Sequence, residues 1–267
     1  MHFRRTCFLL ALVILLIMVT PGARAITISS LTHERQASPG ETYSGSIEIV
    51  NNDDLPASVE LYQTDYTFQS DGSNAFGTAG SSTRSNATWL DFSPNRIIIP
   101  ARATYLVNYS VDVPANDSLT GTYWSMLMVE ESAPVQTAKD PVEKQASISQ
   151  IVRYGVQCIT HIGSTGQSDL EITGAKLVAD SVNVKELQLD VKNDGSRWAV
   201  PIVWAELFDT NGKTAGKFEC EKKRVFPGTS VRFKIKLNDE LKGSYKALVV
   251  LDTGGEDVIG AKYDLEF

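Results

Sequence analysis

The stretch Ser46-Ile47-Glu48-Ile49-Val50-Asn51-Asn52-Asp53 decides the fold class. Its apolar and polar residues alternate, so one face of an extended strand meets a core and the other meets water. The Asn-Asn-Asp that ends it is a turn signal. The same order returns at Leu187-Gln188-Leu189-Asp190-Val191-Lys192-Asn193-Asp194. A second echo also keeps its order. Ile99-Pro100-Ala101 precedes the alternating run Tyr105–Val111 and then Leu119-Thr120-Gly121-Thr122-Tyr123. Phe226-Pro227-Gly228 precedes Val231–Leu237 and then Leu241-Lys242-Gly243-Ser244-Tyr245. Two copies of one sandwich is the economical explanation.

Further alternating runs lie at Val59-Glu60-Leu61-Tyr62 and Tyr263-Asp264-Leu265-Glu266-Phe267. Ser38-Pro39-Gly40, Asp71-Gly72, Asn193-Asp194-Gly195 and Asn211-Gly212 punctuate the chain at short intervals. No window beyond the N-terminal run keeps a 3.6-residue period. The expected fold is all-β: two tandem immunoglobulin-like β-sandwich domains after a cleaved signal peptide. The boundaries expected are 26–162 for the first domain, 163–168 for a flexible polar linker, and 169–267 for the second. Two long polar loops are expected in the first domain, Gln69–Asn86, read as disordered, and Glu131–Ala146.

The N-terminus reads as a signal peptide, residues 1–25. Arg4 and Arg5 precede the unbroken apolar run Cys7–Val19, and Ala23-Arg24-Ala25 supplies a small-x-small cleavage site before Ile26. That run is shorter than the ~20 apolar residues that cross a bilayer, and no later stretch approaches that length. A periplasmic or secreted, non-spanning protein is expected. The chain carries 25 basic and 32 acidic residues, a net charge of −7, and cleavage would remove three arginines and no acid. Such a chain lacks the basic stripe that nucleic acid requires.

Catalytic and metal motifs are missing from the sequence. Only His33 and His161 follow the signal, with no zinc-ligand spacing, nucleophile elbow or phosphate loop. No enzyme, cofactor or metal is expected. Cys158 and Cys220 would both reach an oxidising space. They form an inter-domain disulfide on one reading, and two separately buried thiols on the other. Trp198, beside Arg197, is core on one reading and a sugar-stacking platform on the other.

From Ile26 to about Ile162 the order of features resembles the periplasmic pilus chaperones of the PapD-like family. The residues that carry this are Ser38-Pro39-Gly40, Ile47–Asn52, Phe92-Ser93-Pro94-Asn95-Arg96-Ile97-Ile98-Ile99-Pro100-Ala101, and Tyr123-Trp124-Ser125-Met126-Leu127-Met128-Val129-Glu130. A charged loop and a last strand, Ile148–Ile159, come after them. The resemblance implies a protein client, a pilin-like or surface-fibre subunit, captured by strand addition, with an outer-membrane usher as a further partner. The family anchors a client carboxylate with an Arg on the first strand and a Lys on the last strand of the first domain. Here those positions fall on His33 and near Gln150, with Arg35 and Arg153 close by: replacement cations on one reading, two solvated strand arginines on the other. Ile151 and Ile159 would enter the client's groove. The pattern is also similar to Gram-positive surface proteins that bind peptidoglycan and WxL-type partners. The alternative is therefore a structural or adhesive envelope protein that binds another surface protein or a glycan.

Overall fold

Ser46–Asn51 falls in a ten-residue strand, Thr42–Asn51, with Ile47 and Ile49 inward and Glu48 turned outward. Fully burying each such isoleucine stabilises by roughly 1.5–3 kcal/mol. The computed structural model describes residues 26–132, 152–179, 185–255 and 258–267. The expected signal peptide, Ile148, Ile151 and most of the loop Glu131–Ala146 lie outside them.

The first unit contains β1 (Ile26–Ile28), β2 (Thr32–Ala37), β3 (Thr42–Asn51), β4 (Ala57–Phe68), β5 (Asn74–Thr78), β6 (Leu90–Phe92), β7 (Arg96–Ile99), β8 (Thr104–Asp112), β9 (Gly121–Glu131) and β10 (Arg153–Ile162). One sheet runs β1-β3-β8-β6, and the other runs β2-β10-β9-β4-β5 with β7 also on β4. The second unit contains β11 (Leu170–Ala179), β12 (Lys185–Asn193), β13 (Ile202–Phe208), β14 (Thr214–Glu219), β15 (Ser230–Lys236), β16 (Ser244–Asp252) and β17 (Val258–Glu266). Its sheets run β11-β12-β15 and β14-β13-β16-β17. Each pair of sheets encloses its own core. Ile47, Val59, Leu127 and Val156 lie in the first, and Leu187, Leu189, Phe233 and Val249 in the second. The fold is all-β, two immunoglobulin-like sandwiches in series.

The sequence echoes mark equivalent places. Asn51 ends β3 and Asn193 ends β12, and both are fully buried. Asn51 Nδ2 donates to the carbonyls of Leu55, Ile99 and Pro100, while its Oδ1 accepts from Asp53 N. Asn193 Nδ2 donates to the carbonyls of Arg197 and Val225, while its Oδ1 accepts from Gly195 N and Asp169 N. In both sandwiches one asparagine satisfies the backbone of a turn and of the segment entering the next sheet, polar groups that burial would otherwise leave unpaired.

Two expectations are corrected. Gln69–Asn86 is ordered: it contains β5 paired to β4, and Asp65 ties down the loop after β5. The buried Asp65 carboxylate accepts from Gly80 N, Ser81 Oγ, Ser82 N and Ser85 Oγ at 2.5–3.2 Å. The segment after β10 is likewise pinned. Thr165 Oγ1 donates to Ile162 O and accepts from Gly121 N, and Arg197 Nη1 donates to the carbonyls of Gly163 and Thr165. A Gly/Ser-rich composition predicts freedom only where no partner offers hydrogen bonds, and here both sandwiches do.

Candidate strand-binding edge and inter-domain junction

β10 is where the first sandwich meets both a free edge and the second domain. Tyr154, Val156, Cys158 and Ile162 point into the first core. By alternation Arg153, Gly155, Gln157, Ile159 and His161 point the other way. Across β9 they face Glu130, Met128, Met126, Trp124 and Thr122 in register.

Both long edges of β10 are used, but one only in part. β9 covers the whole strand on one side. On the other side β2 runs parallel to it and pairs only from Gln157 to Ile162. Gln157 N donates to Leu31 O on that side, and Glu131 N donates to Val152 O on the β9 side. Amides alternate in direction along a strand, so the N–H and C=O groups of Arg153 and Gly155 face away from β9. No strand among the described residues pairs with them there. Among the described residues, the four residues Arg153–Val156 form an open edge on the side away from β9.

The far half of the same face is occupied. Phe226 of the second domain is 1% exposed and packs with Trp124 and Ile159. Its ring lies 4.8 Å from Trp124, 5.5 Å from Trp198 and 6.2 Å, edge-on, from Phe68. His161 packs against Trp198 with ring centres 4.8 Å apart and planes tilted by 44°, shares a hydrogen bond at Nδ1 with Thr122 Oγ1 (2.9 Å), and meets Glu34 Oε1 through Nε2 at 3.0 Å. Burial lowers the His161 pKa, against the opposing pull of Glu34. Ser196 O accepts from Thr122 N at 2.9 Å, so backbone joins backbone across the junction.

The candidate residues fall in different places. Arg35 is in register with Thr160, and His33 with Cys158, so both sit on the core side of β2. His33 Nδ1 lies 2.9 Å from Tyr109 Oη. Arg153 stands on the opposite face, seven residues along β10 from Thr160, or ~23 Å at strand rise. The two arginines therefore do not face one cleft. On β2 the cleft side carries Glu34, an acid. Arg153 Nε donates to Glu130 Oε2 at 2.7 Å, and Tyr62 Oη donates to the same oxygen at 2.9 Å. The hydrogen bond from Arg153 holds the Glu130 carboxyl below its ordinary range. Ile159 is already covered by Phe226 and is not open to a partner in this arrangement. Ile151 lies outside the described residues.

The cysteines are free thiols. Cys158 belongs to the first core, and Cys220 packs against the second. Burial pushes the Cys158 thiol up to about 12 and the Cys220 thiol up to about 11. Trp198 is an inter-domain packing residue, with the Arg224 guanidinium 5.1 Å from its ring centre. Sequence reading missed Phe226 because Phe226-Pro227-Gly228 also serves as a turn signal. Nothing local marks its ring as the plug of a junction.

The arrangement is two immunoglobulin-like sandwiches in series, with one half-open sheet edge, among the described residues, beside the domain junction. No family model matches the sequence, and no curated protein matches it. Among solved structures the chain is similar to pilus chaperones. One comes from the chaperone–tip adhesin complex of CFA/I fimbriae biogenesis, at 12% identity and TM-score 0.46, covering 90% of this chain and 98% of that one. The class 5 fimbriae chaperone CfaA matches at 11% identity and TM-score 0.46, covering 89% and 98%. A chain of the Salmonella enterica SafA pilin–SafB chaperone complex matches at 12% identity and TM-score 0.44, covering 92% and 99%. These neighbours are of the kind that the sequence pattern resembles.

Proposed function

We propose that this is a non-catalytic, periplasmic chaperone-like protein that binds fimbrial or surface-fibre subunits by strand addition at the first domain. The single observation that supports this reading is the open edge at Arg153–Val156 of β10, continuous with a strand that β2 covers only from Gln157 onward. Unpaired strand amides are templates for another chain, and main-chain hydrogen bonds supply affinity there. The pattern of Ile47–Asn52 and Phe92–Ala101 in the sequence supports the same class of client. Ile151, just ahead of the edge, is the residue proposed to enter the client's groove. Arg153 would act through its backbone, since its side chain is already bonded to Glu130.

The test separates backbone from side chain. A pilin-like subunit is co-expressed in the periplasm, and complex recovery is measured with hydrogen exchange at Arg153–Val156. Arg153→Pro removes an outward N–H and should abolish recovery, whereas Arg153→Ala should retain most of it. Exchange at the edge should slow in the complex. If Arg153→Pro recovers as much subunit as wild type, and edge exchange is unchanged, strand capture at β10 is wrong. A role as an envelope protein that binds through its loops is then the better reading.

A further inference from the structure

A second site lies away from the β10 edge. Between the β4–β5 turn of the first domain and β15 of the second is a cavity of about 470 Å³. Phe68, Gln69, Ser70, Asp71 and Gly72 form one wall, and Lys223, Arg224, Ser230, Val231, Arg232 and Lys234 form the other. Four cationic side chains meet here in a chain whose net charge is −7.

Their compensation is uneven. Arg232 makes a two-pronged bond to Asp190 at 2.7 and 2.8 Å, and Lys234 stands 3.7 Å from Glu186. Lys223 Nζ donates to Arg232 O at 2.7 Å, a neutral acceptor. Arg224 lies over the Trp198 ring at 5.1 Å. Neither Lys223 nor Arg224 pairs with a carboxylate among the described residues. The wall's own acid, Asp71, accepts from Ser73 N at 2.8 Å within its turn. Hydrogen bonding from the Ser73 side chain, then from its backbone, with the smallest contribution from Arg232, lowers its pKa.

The walls are also held at a set separation. Ser70 N donates to Ser230 Oγ at 2.9 Å, and Ser230 Oγ donates to Gln69 Oε1 at 2.7 Å. Phe68 packs edge-on to Phe226 at the back. A guanidinium held over an indole can present its N–H groups to a forked acceptor, and an ammonium beside it adds a point charge. We infer that this inter-domain cavity binds an oxyanion through Lys223 and Arg224, either inorganic phosphate or the carboxylates of an acidic peptide. The inference does not depend on strand capture.

Trp198 beneath Arg224 makes its fluorescence the natural readout. The full protein after residue 25 is titrated at low salt with inorganic phosphate, and separately with an end-capped hexaglutamate peptide. Saturable binding of either supports the site, and the probe that binds more tightly identifies the source. Lys223→Gln/Arg224→Gln should weaken binding at least tenfold. Arg96→Gln, a surface cation paired elsewhere with Glu60 at 3.3 Å, should leave it unchanged. Asp71→Asn should tighten it about threefold or more, a gain that loss of folding could not produce. The proposal is overturned if neither probe saturates, or if the double variant binds as wild type does. It is equally overturned if Arg96→Gln weakens binding as much as the double variant.

Discussion

The two sandwiches use the same buried asparagine and diverge in the contacts around it. In the first, the Asn51 turn is closed on itself. Its bonds run to Asp53, Leu55, Ile99 and Pro100, all within that domain. In the second, the Asn193 turn is also the docking surface. Ser196 O takes Thr122 N, Arg197 holds the carbonyls of Gly163 and Thr165, and Trp198 N donates to Thr122 Oγ1 at 3.1 Å. A shared local device fixes each fold, while the docking contacts around its second copy fix how the two folds meet. The glycines of the Leu-x-Gly-x-Tyr echoes show the same split. Gly121 and Gly243 both have positive φ, at 77° and 80°. A Cβ on Gly121 would overlap the carbonyl of Ser196, while one on Gly243 would meet nothing within 4 Å.

The largest expected effect breaks the junction and leaves both cores. Phe226→Ala empties the plug between Trp124, Ile159 and Trp198, a loss of about 3–5 kcal/mol. Calorimetry should then resolve two transitions in place of one. A single unshifted transition would mean that the aromatic cluster does not couple the domains.

Next comes the glycine pair, which sharpens the comparison. Gly243→Ala carries only the left-handed backbone penalty, about 1–2 kcal/mol. Gly121→Ala carries that and the clash with Ser196, so its urea midpoint should fall further. Equal midpoints would show that close approach at Gly121 adds nothing.

A smaller effect is expected from pH. Burial lowers the His161 pKa in the folded chain, with Thr122, Glu34, Arg197 and Trp198 around the ring. A depressed histidine pKa leaves the folded state with fewer bound protons than the unfolded state below the unfolded value of about 6.5. Stability should therefore be full above pH ~6.5 and fall as pH drops below it. His33 is lowered in the same direction. His161→Gln should flatten part of that slope, and a variant with the wild-type slope would rule His161 out.

The smallest expected effect is none. Because Cys158 and Cys220 lie in separate cores as thiols, a reductant should leave the melting temperature unchanged. Alkylation after unfolding should label both without reduction. A drop in melting temperature with reductant would restore the inter-domain disulfide.

Much of the fold is legible in residues that act on their neighbours in the chain. Period-2 alternation at Ile47–Val50 and Leu187–Val191, the turns at Asn51 and Asn193, and the positive-φ glycines are all short-range demands. Each is set by sterics or hydrogen bonds within a few residues. The candidate site was not legible in that way. Arg35 and Arg153 read as a pair because strand register between distant segments is invisible in sequence. A one-residue change of register turns every side chain to the opposite face, and the parallel pairing of β2 with β10 sends Arg35 toward the core side and Glu34 toward the cleft.

Sequence alone therefore determined an all-β chain with two echoing sandwiches. Tertiary structure alone decided which four residues of β10 have no described strand on the side away from β9, that Phe226 plugs the junction over Ile159, and that Lys223 and Arg224 face Phe68 across a cavity. The first set depends on contacts among near neighbours, whose energies the local residue types specify. The second depends on contacts between segments far apart in the chain, which exist only once both sandwiches have formed and docked.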